Sequence, residues 1–137
     1  MWIDIISQDD INSLMEVYGG FHDSCITEIH YVSGAFVAKD LAMNAINDLR
    51  ALRITFQRQE CNPQGIEVEF SGLVKLHLEP SDPNYTCEIL DVSFFYDRGM
   101  LCWGDSNWFE VQRDKYIGTW LQAKSAKWRV IQPPPGT

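Results

Sequence analysis

The clearest periodicity comes early in the chain. Ile11, Leu14, Met15 and Tyr18 recur at i, i+3, i+4 and i+7, which lines one face of a helix. Ser7 stands ahead of that stripe as an N-cap, and Asp9 and Asp10 fall where the helix dipole favours negative charge. Ile6 and Ile11 have the spacing of a hydrophobic staple, and Gly19-Gly20 supplies a left-handed stop. The pattern predicts a helix over about 8–18.

Beyond it the period falls to two. Leu52, Ile54 and Phe56 alternate with Arg53, Thr55 and Gln57, as in a half-buried antiparallel strand. After the turn Asn62-Pro63-Gln64-Gly65, Ile66, Val68 and Phe70 alternate with Glu67 and Glu69. Gly72, Val74, Leu76 and Leu78 keep that parity, which predicts one long strand bent at Gly72 or two meeting at a bulge. Pro80 to Asn84 reads as a loop, and Ile89, Val92, Phe94 and Tyr96 as a strand. Asp97-Arg98-Gly99 then turns the chain into Met100–Trp103. Cys25 to Val32 reads as a strand from its β-branched and aromatic content. Leu41–Leu49 fits a short helix or an irregular extended segment. Thr119–Arg129 fits helix or strand, and Trp120 and Trp128 share a face only in the strand. The predicted fold is α+β: an N-terminal helix on a largely antiparallel sheet of about six strands, twisted or partly barrel-like at Gly72. Residues 1–137 form a single domain, with a loose Pro-rich tail from about 132.

Composition narrows the class without naming an activity. The chain has 137 residues, 45% of them hydrophobic and 22% charged, which excludes a disordered tail, a collagen-like repeat and a charged linker. The longest stretch free of Asp, Glu, Lys and Arg, Ile29–Ala38, is too short to span a bilayer. Met1-Trp2-Ile3-Asp4 shows neither a basic region nor a small-residue cleavage site, so the reading is a cytoplasmic protein with no membrane association. Residues 1–112 hold six Lys/Arg against eighteen Asp/Glu, and residues 113–137 hold five basic residues against Asp114 alone. Such an acidic body attracts a basic protein partner and repels nucleic acid, while the basic C-terminal segment is expected to pack beside the acidic faces.

Candidate chemistry is sparse. Cys25, Cys61, Cys87 and Cys102 lack close paired spacing and read as free thiols, with Cys25, Cys87 and Cys102 buried and Cys61 exposed. His22, Asp23 and Ser24 are the residue types of a hydrolase triad, but adjacent residues diverge and cannot align nucleophile, base and acid. They read as a polar turn after the helix stop. His22, His30 and His77 are too scattered for a metal site. Trp103, Asp105, Asn107 and Trp108 could stack on and hydrogen-bond to a sugar or base, yet the same two rings could cover one end of the core. Lys124, Lys127 and Arg129 with Trp120 and Trp128 make only a weak nucleic-acid footprint. No phosphate-binding glycine loop occurs. No catalytic residue, cofactor or metal is expected.

Several segments taken together carry a resemblance. Gly19–Cys25, Lys39–Met43, Phe56-Gln57-Arg58-Gln59, Ile66–Phe70, Trp103-Gly104-Asp105-Ser106 and the closing Trp120–Arg129 resemble a family of small uncharacterised bacterial proteins. In that family a Phe-His-Asp start, a Phe-Gln-Arg-Gln strand end and a Trp-x-Asp-Ser turn recur in this order. It has no established activity, so the resemblance implies no catalytic or binding residue. More distantly, the His-Asp-Ser start followed by paired β segments is similar to β-rich immunity proteins of bacterial toxin systems. The function expected is therefore a non-enzymatic, acidic binding protein, toxin-neutralising in kind. The alternative is a small-ligand or carbohydrate module using the Trp103–Trp108 loop.

Overall fold

The computed structural model describes residues 1–59, 61–111 and 113–132, so all but the first residue of the expected Pro-rich tail lies outside the described residues. The elements in chain order are β1 (Ile3–Ile5), α1 (Gln8–Val17), β2 (Cys25–Val32), β3 (Phe36–Val37), β4 (Met43–Asn44), β5 (Ala51–Gln57), β6 (Gly65–His77), β7 (Ser93–Asp97), β8 (Met100–Gly104), α2 (Trp108–Val111) and β9 (Trp120–Ile131). The fold is α+β, one ten-residue helix and a shorter one beside a large antiparallel sheet.

The start of α1 follows from its cap. The Ser7 hydroxyl accepts the Asp10 N–H at 3.3 Å, and the Asp10 carboxylate accepts the Ser7 and Ile6 N–H groups at 3.2 and 2.8 Å. Three backbone donors of the first turn and its approach are thereby satisfied. Ile11, Leu14 and Tyr18 project from this helix into the core and are fully buried.

The sheet has seven strands rather than six. Its order is β2-β5-β6-β9-β8-β7, with β1 also on β9. β9 runs along β6 on one edge; on its other edge β8 pairs with residues 120–123 and β1 with residues 126–128, end to end. β1 is the strand that the alternation did not announce, because three residues are too few to display a period. β2 and β7 are the edges, so the sheet is open. Thr119–Arg129 resolves as strand. Leu41–Leu49 contains no helix; it carries β4, which pairs with β3 as a separate hairpin.

The bend at Gly72 alters which residues face inward. Ile66, Val68 and Phe70 are buried as predicted, but Val74 and Leu78 are 43% and 52% exposed while Leu73 and Leu76 pack on the core. Gly72 has φ +64, a backbone state that reverses side-chain parity and that a Cβ would resist. A second shift lies between Leu73 and Lys75, where β6 carries one more residue than β9. On β9, Ala126 and Trp128 share the main core with Leu121 and Ala123, although the two pairs differ in parity. Trp120 and Trp128 therefore fall on opposite faces: Trp128 joins the main core, and Trp120 packs beside Phe95, Cys102 and Phe109.

The outer face of β6 absorbs part of the basic C-terminal segment. Glu69 pairs with Arg53 at 2.9 Å and Lys127 at 3.3 Å, and Glu67 with Arg129 at 3.2 Å. The Trp2 ring lies under Arg129 and Lys127 at 4.3 and 4.8 Å. Arg113 pairs with Asp97 at 2.6 Å. The expected packing of this segment beside acidic faces thus takes the form of cross-strand ion pairs.

Candidate functional site

Two polar clusters come from distant parts of the chain and meet through the segment 86–91. The first is the turn His22-Asp23-Ser24 between α1 and β2. Ser24 is fully buried, and its hydroxyl donates to the Phe21 carbonyl at 2.7 Å, so it closes the turn and is not aimed at a base. Asp23 has φ +59; its N–H donates to the Ile89 carbonyl at 2.7 Å, and the Ile89 N–H donates to the Ser24 carbonyl at 2.8 Å. One residue thus faces two, a bulge with its first residue left-handed. The His22 Nδ1 lies 2.7 Å from the Leu90 carbonyl and its Nε2 lies 3.5 Å from Asp23. The hydrogen bond to Leu90, then the Asp23 charge, raises the His22 pKa above its ordinary 6.5. All three residues tie the turn to the segment 89–90 rather than assemble a nucleophile.

The second cluster is the excursion 105–119 between β8 and β9. Asp105 closes its base: its carboxylate accepts from the Tyr116 hydroxyl and, at 3.1 Å, from the Thr119 N–H, while the Asp105 N–H donates to the Thr119 carbonyl at 3.0 Å. Burial, then Asp105, pushes the Tyr116 phenol above its ordinary pKa. The Ser106 hydroxyl accepts the Trp108 N–H at 3.1 Å at the start of α2, and the Ser106 carbonyl accepts the Ser93 hydroxyl at 2.7 Å.

The two tryptophans of this motif part company. Trp103 is fully buried, its ring 6.2 Å from Phe21 and 5.6 Å from Phe56, so it belongs to the core and offers no stacking surface. Trp108 is 60% exposed and Asn107 is exposed. Two adjoining cavities of about 320 and 290 Å³ run past them and share Ser81, Cys87, Ile89 and Asp105. The first reaches Asn107 and Trp108, and the second has Ile26, Ile29 and Leu78 on its floor. Together they form a groove under the loop that joins β6 to β7. Across the 86–91 segment, a polar cleft of about 600 Å³ is lined by Asp23, Cys25, Gln57, Arg58, Gln64 and Glu88. Arg58 lies 4.2 Å from the centre of the Tyr18 ring and its Nε donates to the Pro63 carbonyl at 2.9 Å.

The loop itself is the feature that the sequence reading passed over. Residues 76–97 contain Glu79, Asp82, Glu88, Asp91 and Asp97 and not one Lys or Arg. Among the described residues, Glu79, Asp82, Glu88 and Asp91 enter no salt bridge, unlike Glu67, Glu69 and Asp97. Leu78, Tyr85 and Leu90 on the same loop are 52%, 77% and 67% exposed. The signal in the sequence is a run of one charge sign. The strand expected from Ile89 starts only at Ser93, so Ile89 and Val92 lie in the loop before β7, and Cys87, read as buried, is exposed on that loop. Cys102 is buried, Cys25 half-buried and Cys61 exposed.

Among the described residues no three His, Cys, Asp or Glu side chains converge in a way that could hold a metal ion, and no helix is long and apolar enough to cross a membrane. The class defined by this geometry is an open antiparallel α+β module with an acidic, partly apolar groove at one end. Compared with known proteins, the chain matches no family model, no curated protein and no solved structure.

Proposed function

We propose that this chain is a non-enzymatic binding protein that presents the 78–91 loop and Trp108 to a basic protein partner, in the manner of toxin-neutralising immunity proteins. The observation that carries the reading is the pairing of four carboxylates that enter no salt bridge among the described residues, Glu79, Asp82, Glu88 and Asp91, with exposed Tyr85, Leu90 and Trp108. Unspent charge steers a cationic partner, and aromatic or aliphatic side chains at the centre of a contact supply the short-range energy. Charges already paired, such as Glu67 and Glu69, contribute little to either. The resemblance to immunity proteins and to the small bacterial family belongs to the same proposal, as does a cytoplasmic setting.

The test is a pull-down from lysate with tagged wild type and with Asp82→Lys/Asp91→Lys, both shown to be folded by circular dichroism. The expected result is a basic protein retained by wild type at low salt, shed at high salt and not retained by the variant. A partner held equally by both proteins, or held independently of salt, refutes the acidic loop as its site. A second reading has one observation in its favour: Trp108, Asn107 and Asp105 line one cavity. That reading is a small carbohydrate ligand stacked on Trp108, without Trp103. It is tested by glycan-array binding that Trp108→Ala abolishes.

A further inference from the structure

The connection from β2 to β5, residues 33–50, leaves the main sheet as an arm. The Leu49 and Arg50 N–H groups both donate to the Ser33 carbonyl at 3.1 Å and close its base, where Gly34 lies too near Asp48 and Leu49 to admit a Cβ. Beyond that base β3 and β4 pair only with each other, Phe36 opposite Asn44 and Val37 opposite Met43. A two-stranded hairpin is marginal in water unless further structure covers an apolar face. This one shows solvent Phe36, Val37, Leu41, Met43, Ile46 and Leu49, all 50–82% exposed, and none of the six belongs to a core cluster. The tip adds a second cost. The Ala38 N–H donates to the Ala42 carbonyl and the Leu41 N–H to the Ala38 carbonyl, each at 2.9 Å, which makes a three-residue loop. Its last position is left-handed and ordinarily takes glycine; here it is Leu41, at φ +69 and 82% exposed. A bulky apolar side chain is thus held in a disfavoured backbone state and in water at once.

We propose that the arm is a dimerisation element that clasps a second copy of this chain about a two-fold axis. Charge selects the occupant. Of the formal net charge of −8, the segment 33–49 carries only −1, one lysine against two aspartates. A basic partner is drawn to the acidic loop, whereas a second chain of the same sign is repelled by the acidic body and meets least resistance at the arm. Area then sets the geometry. At about 200 Å² for a large side chain, the six expose roughly 700 Å², close to the roughly 800 Å² that each partner gives to a standard interface. One face of the hairpin supplies only about half of that, so both faces must be covered. Val37 and Met43 lie on one face and Phe36 on the other. The second copy offers its own arm to one face and the outer edge of its β2 to the other. That edge is open: β2 pairs with β5 alone, and among the described residues 27–32 make no further backbone hydrogen bond. Tyr31 and Val32, beside the arm, are 44% and 43% exposed. The arm leaves β2 at Val32 while the segment 89–90 joins the chain at its other end, next to Ser24, so the clasp does not rest on the partner proposed above.

The test is sedimentation equilibrium of the whole chain from micromolar to submillimolar concentration, at low and high salt, with circular dichroism to confirm folding. Wild type is expected to show a monomer–dimer equilibrium that tightens as salt screens the repulsion between two acidic bodies, and a melting temperature that rises with concentration. Leu41→Gly removes an anchor from both copies and gives the left-handed position its preferred residue. The variant monomer is therefore expected to melt no lower than wild-type monomer, while its dimer is about 100-fold weaker, tenfold for each copy. Met43→Lys and Phe36→Lys, on opposite faces of the hairpin, are each expected to abolish the dimer in a protein that still folds. A wild type that stays monomeric throughout, or a dimer left intact by Leu41→Gly, overturns the proposal. Loss of the dimer in only one of the two lysine variants overturns the two-faced clasp. A dimer that loosens as salt rises also overturns it, because the contact would then be made by charged groups and not by the arm. Salt thus moves this association and the capture of a basic partner in opposite directions, so either can fail without the other.

Discussion

Gly104, the last residue of β8, is buried against α2, and its lack of a side chain is what lets Phe109 seat. A Cβ built there would lie 2.5 Å from Phe109 Cγ and 2.6 Å from both Cβ and Cδ2. Ordinary carbon contacts are about 3.5–4.0 Å, so Gly104→Ala requires the ring to retreat by about 1 Å. Rotation of the ring cannot provide that, because the Phe109 Cβ itself is one of the clashing atoms; α2 must move. Forcing one extra methyl into a packed site costs about 1–3 kcal/mol, and losing a buried Phe altogether costs about 3–5 kcal/mol. Phe109 is 1% exposed and packs on Phe95, Tyr116 and Trp120, so the two limits bracket a destabilisation of about 3 kcal/mol. At about 2.1 cal/mol/K per residue, 137 residues give an unfolding entropy near 0.29 kcal/mol/K, which turns about 3 kcal/mol into a fall in Tm of roughly 10 °C. The assay is urea unfolding followed by circular dichroism for wild type, Gly104→Ala, Phe109→Ala and the double variant. Phe109→Ala removes two of the three clashing atoms and leaves the Cβ, so the double variant should be less destabilised than the sum of the singles yet weaker than Phe109→Ala alone. A Gly104→Ala protein within about 0.5 kcal/mol of wild type, or strict additivity, would show that this interface does not pack as described.

The two tryptophans of the Trp103–Trp108 segment should separate cleanly by equilibrium unfolding. Trp103→Ala is expected to cost about 3–5 kcal/mol and Trp108→Ala less than about 0.5 kcal/mol, and similar losses at both positions would contradict their different burial. Glu69 supplies a pH-dependent contribution. Its burial alone would raise its pKa, but the hydrogen bonds from Arg53 and Lys127 outweigh this and hold the carboxyl below its ordinary 4.5. A lowered folded pKa means stability present above the unfolded value and lost as pH falls through the folded one. Glu69→Gln should therefore be less stable than wild type at pH 7, with the gap narrowing below about pH 4; a gap that is constant down to pH 3 would remove Glu69 from the acid response.

Much of the architecture could be read from alternation, and the places where it could not share a cause. α1 carried its own cap and stop, and β5 and the first half of β6 buried every second residue as the pattern required. Parity arguments then failed at Gly72, since a left-handed residue inverts the count while leaving the amino-acid pattern unchanged. That inversion moved Leu73 inward and Val74 outward. On β9 the inward parity likewise differs between Leu121 and Trp128, so two tryptophans eight residues apart part to opposite faces. β1 failed for a different reason: its three residues have meaning only against the β9 backbone, a partner more than a hundred positions away.

The candidate residues tell a related story. His22-Asp23-Ser24 and Trp103–Trp108 attract notice as local strings, but each string contains groups with unlike tasks. Ser24 and Trp103 are consumed by turn closure and core packing, Asp105 by the neck of its excursion, and only Asn107, Trp108 and the exposed edge of the His22-Asp23 turn face outward. What unites the strings is the segment 86–91, which bonds to the first at Ile89 and Leu90 and walls the groove that reaches the second. That segment is irregular, so periodicity is silent about it, and its contribution is a charge run. Function is therefore best sought where two poorly periodic segments are forced together by well-periodic strands: the sheet sets the distance between residues 22–25 and 86–91, and the loops supply the chemistry at that distance. If the seam is the working part of the molecule, Asp91→Lys should disturb partner binding without moving Tm, whereas Ser24→Ala should lower Tm by removing a buried hydroxyl bond to Phe21 and leave binding by the surviving folded protein intact. Loss of both properties in both variants would mean that the seam holds the fold together and has no separate role in recognition.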